Sequence, residues 1–416
     1  MVILIKKESH MKKLKKFAIF IFLLLFYIYI CNITLLPSSY IMMQGETFQI
    51  PMFFGLSLQK NNSNVTLQTA SPLNKTKVNE VGKIDLNLSL FQLLTVKNIQ
   101  VNVIPKTTVV PVGAAIGMKL YTDGVLVVGM SEIEGKKPYE NSGIQEGDRI
   151  IQINQNDIDN TEDLMQVVNE CNGQEIVVKY IREEETITTS MKPVKDGENQ
   201  YKLGLWVRDA AAGVGTMTFY EPSTKMFATL GHGIFDIDTS DLIKIENGEL
   251  VTTNILSISK GEKGKPGEIR GTIESGYTIG EISKNTNFGV FGVLTKPSYL
   301  SIAEENAIEV CLREEIQTGK AQIICELENG KREYYDIEIQ KLFLNNNQDN
   351  KSMLIKVTDK RLLEKTGGII QGMSGAPIIQ NGKFVGAVTH VLVNDPTMGY
   401  GVFADIMLKQ MKEVDY

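Results

Sequence analysis

The chain has 416 residues, of which 43% are hydrophobic and 22% charged, with a formal net charge of -6. This is the composition of an ordinary globular protein, and the length is sufficient for two to three domains. The charge is spread along the chain, and the one dense basic run, Lys12 to Lys16, adjoins an apolar stretch, which argues against a nucleic-acid-binding protein.

The first predicted element is an apolar helix over residues 17–36, preceded by a basic tail over residues 1–16. The apolar segment is long enough to span a bilayer. Lysines precede it and none follows until Lys60, so the positive-inside rule places the tail in the cytoplasm and exports the remainder. The alternative is a cleaved signal peptide, but no clear small-residue cleavage site follows. We therefore expect a membrane-anchored or secreted protein.

Residues 37–106 are predicted to form a stalk followed by a small β segment. The region up to about residue 82 is rich in Asn, Ser, Thr and Gln, as loosely ordered segments are. Apolar residues then alternate along Ile84–Leu90 and again along Ile99–Val103. Strict alternation is typical of half-buried strands, so two strands are expected here.

Residues 107–195 are predicted to form one compact unit of strands and helices. The region contains short strands at Ile116–Leu120 and Gly124–Val128, a strand at Arg149–Asn154, a helix at Thr161–Asn172 and a closing strand at Glu175–Arg182. The order of these elements and the segment "SGIQEGDRIIQINQNDI" resemble bacterial PDZ domains, so residues 107–195 are predicted to form a PDZ domain.

A peptide-binding edge is predicted at Ile116, Gly117 and Met118. In a PDZ groove, backbone amides hold the terminal carboxylate of a peptide that adds a strand to the sheet. The alternative is that Ile116 and Met118 only fill the core. The sequence does not identify the peptide ligand.

Residues 196–416 read as many short strands separated by Gly, Pro, Asn and Asp turns, with a helix at the end. This pattern predicts a pair of all-β barrels, and the serine motif described next resembles that of chymotrypsin-like peptidases, so a chymotrypsin-like double β-barrel is expected. Within it, Gly372-Met373-Ser374-Gly375 precedes a hairpin with an Asn381-Gly382 turn. Glycines around Ser374 permit a tight turn that aims the amides of Gly372 and Ser374 at one point, as an oxyanion hole requires. An ordinary glycine-rich turn is the alternative.

The small number of histidines limits the candidates for the general base that would activate Ser374. A serine nucleophile needs a neighbouring base, and the chain has only His10, His232 and His390. His10 lies in the basic tail. His232 follows a predicted strand well upstream of Ser374, where the base of chymotrypsin-like enzymes lies, whereas His390 is expected to be a strand histidine near the substrate groove.

Four cysteines, Cys31, Cys171, Cys311 and Cys325, are scattered without a Cys-x-x-Cys pair, which argues against a disulfide framework and a zinc site. A bridge between Cys311 and Cys325 is possible, but two buried thiols are the favoured interpretation. No metal or cofactor is expected.

The chain resembles the stage IV sporulation protein B peptidases of endospore-forming bacteria. The resemblance is carried by "GVGTMTFYEPSTKMFATLGHGI", "NFGVFG" and "TDKRLLEKTGGIIQGMSGAPIIQNGKFVGAVTHVLVNDPTMGYGVF". It implies a catalytic triad of His232, Asp359 and Ser374. On local grounds Asp359 could equally cap the short helix that follows it. Asp236 and Asp238 are the rival acids, although both lie close to His232 in sequence.

The resemblance also implies a role. A peptidase of this family is exported between the two membranes around the forespore, cleaves itself, and cleaves a membrane-bound regulator of an intramembrane metalloprotease, so that a late sigma factor is processed. The alternatives are a membrane-tethered PDZ adaptor with an inactive barrel and a general quality-control peptidase of the envelope.

Overall fold

A computed structural model describes two compact units, residues 1–107 and residues 108–416, apart from short gaps. The described residues are 2–45, 47–48, 56–60, 68–69, 76–77, 81–91, 93–104, 106–300, 304–344 and 349–412.

The described residues of the first unit form one helix and two small sheets. Its elements are α1 (Val2–Leu35), β1 (Ser39–Met43), β2 (Thr47–Phe48), β3 (Leu56–Lys60), β4 (Gln68–Thr69), β5 (Thr76–Lys77), β6 (Gly82–Leu90) and β7 (Leu94–Ile104). One sheet has the order β1-β7-β6-β3, and the other has the order β2-β5-β4. The two strands predicted from alternation are therefore confirmed as β6 and β7, whose inward side chains form a core with Ile33.

The predicted membrane span, residues 17–36, falls within α1 except for its last residue. In the described part of the chain, no helix satisfies the combined length and hydropathy requirement for crossing a membrane. The anchor accordingly stays a prediction. The predicted stalk is partly described as β1 to β5, and the rest of it lies outside the described residues.

The second unit is almost entirely β. Its elements are β8 (Thr108–Pro111), β9 (Ala115–Met130), β10 (Arg149–Ile153), β11 (Asn156–Asp157), α2 (Thr161–Glu170), β12 (Ile176–Arg182), β13 (Glu185–Met191), β14 (Val194–Lys195), β15 (Tyr201–Lys202), β16 (Leu205–Tyr220), β17 (Met226–Thr229), β18 (Ile245–Ser259), β19 (Glu268–Thr286), β20 (Gly289–Leu294), two 3-10 turns (Pro297–Leu300 and Glu304–Asn306), β21 (Ile308–Glu309), β22 (Gly319–Glu328), β23 (Lys331–Leu342), β24 (Met353–Val357), α3 (Lys360–Thr366), β25 (Pro377–Gln380), β26 (Lys383–Leu392), β27 (Asp395–Phe403) and α4 (Ala404–Lys412).

Two six-stranded barrels account for most of these strands. The first runs β9-β18-β19-β20-β17-β16 and closes by pairing β16 with β9, and the second runs β22-β23-β24-β27-β26-β25. The core of the first barrel is apolar and draws on residues 110–120 and 217–300. The predicted double barrel is therefore confirmed.

The PDZ domain is built on the sheet order β13-β12-β10-β9, with α2 packed against it. Its core comes wholly from residues 125–207. The helix starts at Thr161 as expected, where Asn160 caps it by accepting a hydrogen bond from the Asp163 amide at 2.9 Å. It ends at Glu170, two residues earlier than predicted.

One strand belongs to both the PDZ domain and the first barrel. The two short strands predicted at Ile116–Leu120 and Gly124–Val128 are a single continuous strand, β9. Its first half pairs with the second half of β16 inside the barrel, and its second half pairs with Leu205–Arg208 in the PDZ domain. The PDZ domain is thus inserted into a β-hairpin of the barrel.

The predicted peptide-binding edge requires a correction. Ile116, Gly117 and Met118 pair with β16 on one side and with β18 on the other, so no edge is open to a peptide strand there. Ile116 and Met118 are each 1% exposed and belong to the core of the first barrel. The core-filling alternative is the correct one for these two side chains.

The second barrel carries the hairpin predicted before the C-terminus. Strands β25 and β26 are joined by Asn381 (φ 53°) and Gly382 (φ 75°), and two positive φ values are what a tight hairpin turn of this type needs. Cys311 and Cys325 are buried free thiols, as expected. Burial raises the pKa of Cys325 far above its usual value, which keeps that thiol protonated.

Candidate active site

Ser374 lies in a tight turn held between the two barrels. Gly372 and Gly375 both have φ 95°, which favours glycine. A Cβ on Gly375 would lie 2.1 Å from the Thr216 carbonyl oxygen, so nothing larger fits. The Thr216 amide donates to the Ser374 carbonyl at 3.1 Å, and the Gly375 amide donates to the Val388 carbonyl at 2.8 Å. The turn is therefore fixed by β16 from the first barrel and β26 from the second.

The amides of Gly372 and Ser374 are the predicted oxyanion donors. Within the described residues, neither amide donates to a protein acceptor. The Thr216 hydroxyl donates to the Gly372 carbonyl at 2.6 Å, which orients the backbone between the two amides. Unpaired amides in a rigid turn can stabilise an oxygen that becomes negative during a reaction.

His232 follows β17, after Leu230 (φ 64°) and Gly231 (φ 70°) turn the chain. Its Nδ1 lies 2.8 Å from the Gly233 carbonyl oxygen. A carbonyl can only accept, so Nδ1 carries the proton and Nε2 is free to act as a base. Burial lowers the pKa of His232, so the ring is neutral at physiological pH.

One cavity of about 600 Å³ brings together Ser374, His232 and His390. The two imidazole ring centroids are 5.2 Å apart. The Ser374 hydroxyl donates to the Thr389 carbonyl at 2.8 Å, and no hydrogen bond joins it to His232. Burial and the neighbouring His232 lower the pKa of His390 to about 4. No acidic side chain is among the described residues that line the cavity.

Asp359 is held elsewhere. Its carboxylate caps α3 by accepting from the Arg361 amide at 2.9 Å, and it also accepts from the Arg361 guanidinium and the Asp336 amide. The Arg361 hydrogen bonds lower the pKa of Asp359. The structure gives Asp359 the capping role weighed as its alternative and does not bring it to His232, so its place in a triad stays a prediction.

The rival acids, Asp236 and Asp238, are also bound to groups other than His232. Arg208 pairs with both Asp236 and Asp238, and the Asp238 contact is 2.7 Å. Asp236 further accepts from the amides of Asp238 and Thr239, and these bonds together with Arg208 lower its pKa despite burial. Neither carboxylate contacts the imidazole of His232.

Backbone groups supply the contacts that sequence reasoning missed. The Gly233 carbonyl accepts a hydrogen bond from His232 Nδ1, and the Thr389 carbonyl accepts one from the Ser374 hydroxyl. A main-chain acceptor has no residue-type signature, so no pattern could have revealed these roles. In the described part of the chain, no cluster of three His, Cys, Asp or Glu side chains is arranged to hold a metal ion.

Two family models match the part of the chain that contains the PDZ domain and the candidate active site. The model of the SpoIVB peptidase S55 family matches residues 199–408, which is half of the chain, and a PDZ model matches residues 114–192. The chain belongs to the SpoIVB peptidase S55 family. It is therefore a serine endopeptidase with a PDZ domain, and the matched S55 region contains both Ser374 and His232.

Two sets of solved structures show distant likeness to this S55 peptidase. The active form of the Rv3671c protease from M. tuberculosis is 13% identical over 49% of this chain and 74% of its own, with a TM-score of 0.28. The PDZ domain of the SdrC-like protein Lmo2051 from Listeria monocytogenes is 17% identical over 20% of this chain and 87% of its own, with a TM-score of 0.18. No curated protein matches the S55 peptidase significantly.

Proposed function

We propose that this S55 peptidase cleaves peptide bonds with Ser374 as nucleophile and His232 as general base. The single observation that carries the proposal is that both residues line one cavity beside two unpaired amides. The Ser374 hydroxyl leaves the Thr389 carbonyl and attacks the scissile carbonyl carbon, while Nε2 of His232 takes its proton. Catalytic hydrogen bonds of this kind often tighten only when substrate is bound.

The tetrahedral intermediate is stabilised by the amides of Gly372 and Ser374. The proton held on His232 then passes to the leaving amine, and water hydrolyses the acyl-enzyme by the same two proton transfers in reverse. The Gly233 carbonyl accepts from Nδ1 throughout, so it keeps the ring in the productive tautomer and favours the transient imidazolium. Asp359 enters this scheme only through the family resemblance.

The biological role follows from the same resemblance. The peptidase acts in endospore formation, in the space between the two membranes around the forespore, where an N-terminal anchor or signal delivers it. It cleaves itself and a membrane-bound regulator of an intramembrane metalloprotease, which triggers late sigma factor processing. The PDZ match supports the recognition of a peptide segment in one of these substrates.

Labelling by a fluorophosphonate probe tests the chemistry without knowledge of the substrate. The wild-type chain should be labelled, and Ser374→Ala should abolish labelling, self-cleavage and hydrolysis of a candidate regulator. His232→Ala should remove activity by orders of magnitude, as loss of a base does in other serine peptidases. His390→Gln should reduce activity without abolishing it.

The exposed Ser298→Ala variant is the matched control and should be labelled like the wild type. An unlabelled, folded wild-type chain would support the adaptor with an inactive barrel. Broad cutting of unfolded proteins would support a quality-control peptidase.

A further inference from the structure

The tip of the β18–β19 hairpin, residues 260–267, contacts the segment that precedes Ser374. The Gly261 amide donates to the Thr366 carbonyl at 2.8 Å, and the Gly264 amide donates to the Val393 carbonyl at 2.8 Å. Pro266 lines the same cavity as Ser374. The hairpin belongs to the first barrel, whereas Thr366 ends α3 and Val393 lies between β26 and β27 of the second barrel, so the tip links the first barrel to the connections of the second.

Gln371 receives the most specific part of this contact. Its amide donates to the Gly267 carbonyl at 2.8 Å, and its carbonyl accepts from the Ile269 amide at 2.8 Å. These bonds form a parallel bridge between the hairpin and Gln371. The Ile269 amide is thus directed at Gln371 and away from its hairpin partner Ile258.

The Gln371 carbonyl and the Gly372 amide belong to one peptide unit. A trans peptide unit is planar, and its C=O and N–H bonds point in opposite directions. A hydrogen bond that fixes the carbonyl therefore also fixes the direction of the Gly372 N–H. Rotation of this unit would turn the N–H out of the cavity and present a carbonyl oxygen, which repels a developing oxyanion.

We propose that the backbone amide of Ile269 is a positioning group that holds the Gln371–Gly372 peptide in the orientation an oxyanion hole requires. The inference rests on the proposed function, since it deepens the role given there to Gly372. Packing supports it, because Ile269 is 5% exposed and a Cβ on Gly372 would lie 2.9 Å from the Ile269 Cβ. The hairpin therefore supplies one backbone group that positions the oxyanion hole, although it contributes no reacting side chain.

Ile269→Pro tests this directly, because proline lacks the amide hydrogen that the Gln371 carbonyl accepts. The measured reaction is phosphonylation of Ser374 by a fluorophosphonate probe, in which the Ser374 oxygen bonds to phosphorus, fluoride leaves and His232 takes the proton. We expect the maximal inactivation rate to fall by about 10²- to 10³-fold, the usual effect of losing an oxyanion donor, with little change in probe affinity.

Ile269→Ala is the matched control, because it removes the same side chain but keeps the amide, and it should retain most of the wild-type rate. Gly267→Ala gives a second variant, since its Cβ would lie 2.4 Å from the Gly261 nitrogen and 2.5 Å from the Ile370 side chain, which should displace the Gly267 carbonyl that accepts from Gln371. Lys263→Ala, exposed on the same tip, should behave like the wild type. Equal rates for Ile269→Pro and Ile269→Ala would overturn the proposal.

Hydrogen exchange separates this proposal from the proposed function. The amides of residues 367–376 should exchange faster in Ile269→Pro than in Ile269→Ala, whether or not Ser374 reacts with the probe. Faster exchange with an unreactive wild-type chain would keep the hairpin contact and reject the catalytic chemistry. Unchanged exchange in Ile269→Pro would reject the positioning role itself.

Discussion

Asp359 is the residue at which family resemblance and geometry diverge. Its carboxylate binds the start of α3 and Arg361, so Asp359→Asn should preserve the cap and leave fluorophosphonate reactivity near that of the wild type. Asp359→Ala should lower the free energy of unfolding by about 1 kcal/mol through loss of the cap. Urea unfolding and the labelling rate measure the two effects. A fall of about 10⁴-fold in turnover for Asp359→Asn would instead assign it to the triad.

His390 should make stability depend on pH. Burial, His232 and Lys351 together lower the pKa of His390 to about 4 in the folded chain, against 6.5 as the ordinary value, and Asp349 partly opposes them. Between these two values the unfolded chain binds more protons, so stability is complete above about pH 6.5 and is lost as the pH falls toward 4.

The test is urea unfolding of the wild type and His390→Gln at neutral and mildly acidic pH. The variant should lose less stability on acidification, because it lacks the group that resists protonation. His232 remains as an internal reference, since its own lowered pKa gives a dependence of the same sign. Parallel losses in the two proteins would contradict the expectation.

At the scale of elements, α4 is fastened by a buried ion pair. Arg313 is 7% and Asp405 0% exposed, and their side chains meet at 2.6 Å. Removing one partner leaves the other charge buried, so Arg313→Ala should cost about 3–5 kcal/mol of stability. The double variant Arg313→Met/Asp405→Leu should recover much of that loss, because no uncompensated charge remains. Urea unfolding of the three proteins measures this, and an equally unstable double variant would contradict it.

Some elements were predictable because their causes are local. The Asn381-Gly382 turn fixes the hairpin after Ser374. The alternation of apolar and polar residues in β6 and β7 arises because one face of these strands is buried. Ser374 could be found because glycines flank it ahead of an Asn-Gly hairpin, and His232 could be found because the chain has only three histidines. The continuity of β9 and the docking of the hairpin tip on Gln371 depend on contacts between distant segments, which no local pattern records.

At the scale of the whole molecule, the PDZ domain cannot be removed at the limits that the sequence suggested. Deleting residues 107–195 takes away β9, a strand of the first barrel, so the remaining chain should fail to fold. Replacing residues 123–208 with Asn-Gly should instead join Thr122 to Asp209 by a tight hairpin turn, because Tyr121 already pairs with Ala210.

The shortened chain should remain folded and be labelled at Ser374, yet cut its physiological partner poorly. Circular dichroism, probe labelling and cleavage of a candidate regulator measure these three properties. Equal cutting of that regulator by the shortened and complete chains would contradict a role for the PDZ domain in substrate recognition. A folded, reactive chain lacking residues 107–195 would contradict the shared-strand architecture.

The insertion of the PDZ domain into a hairpin also sets an order of events during synthesis. All of its core residues, 125–207, leave the ribosome before β17 and β18 do, whereas the first barrel cannot close until β20 has also emerged. Once the PDZ domain folds, it pairs Leu126–Met130 with Leu205–Arg208 and so places the two flanking barrel strands side by side. Folding of the PDZ domain therefore already compensates the entropic cost of bringing the barrel halves of β9 and β16 together. We expect the PDZ domain to act as an internal template that sets the register of the barrel.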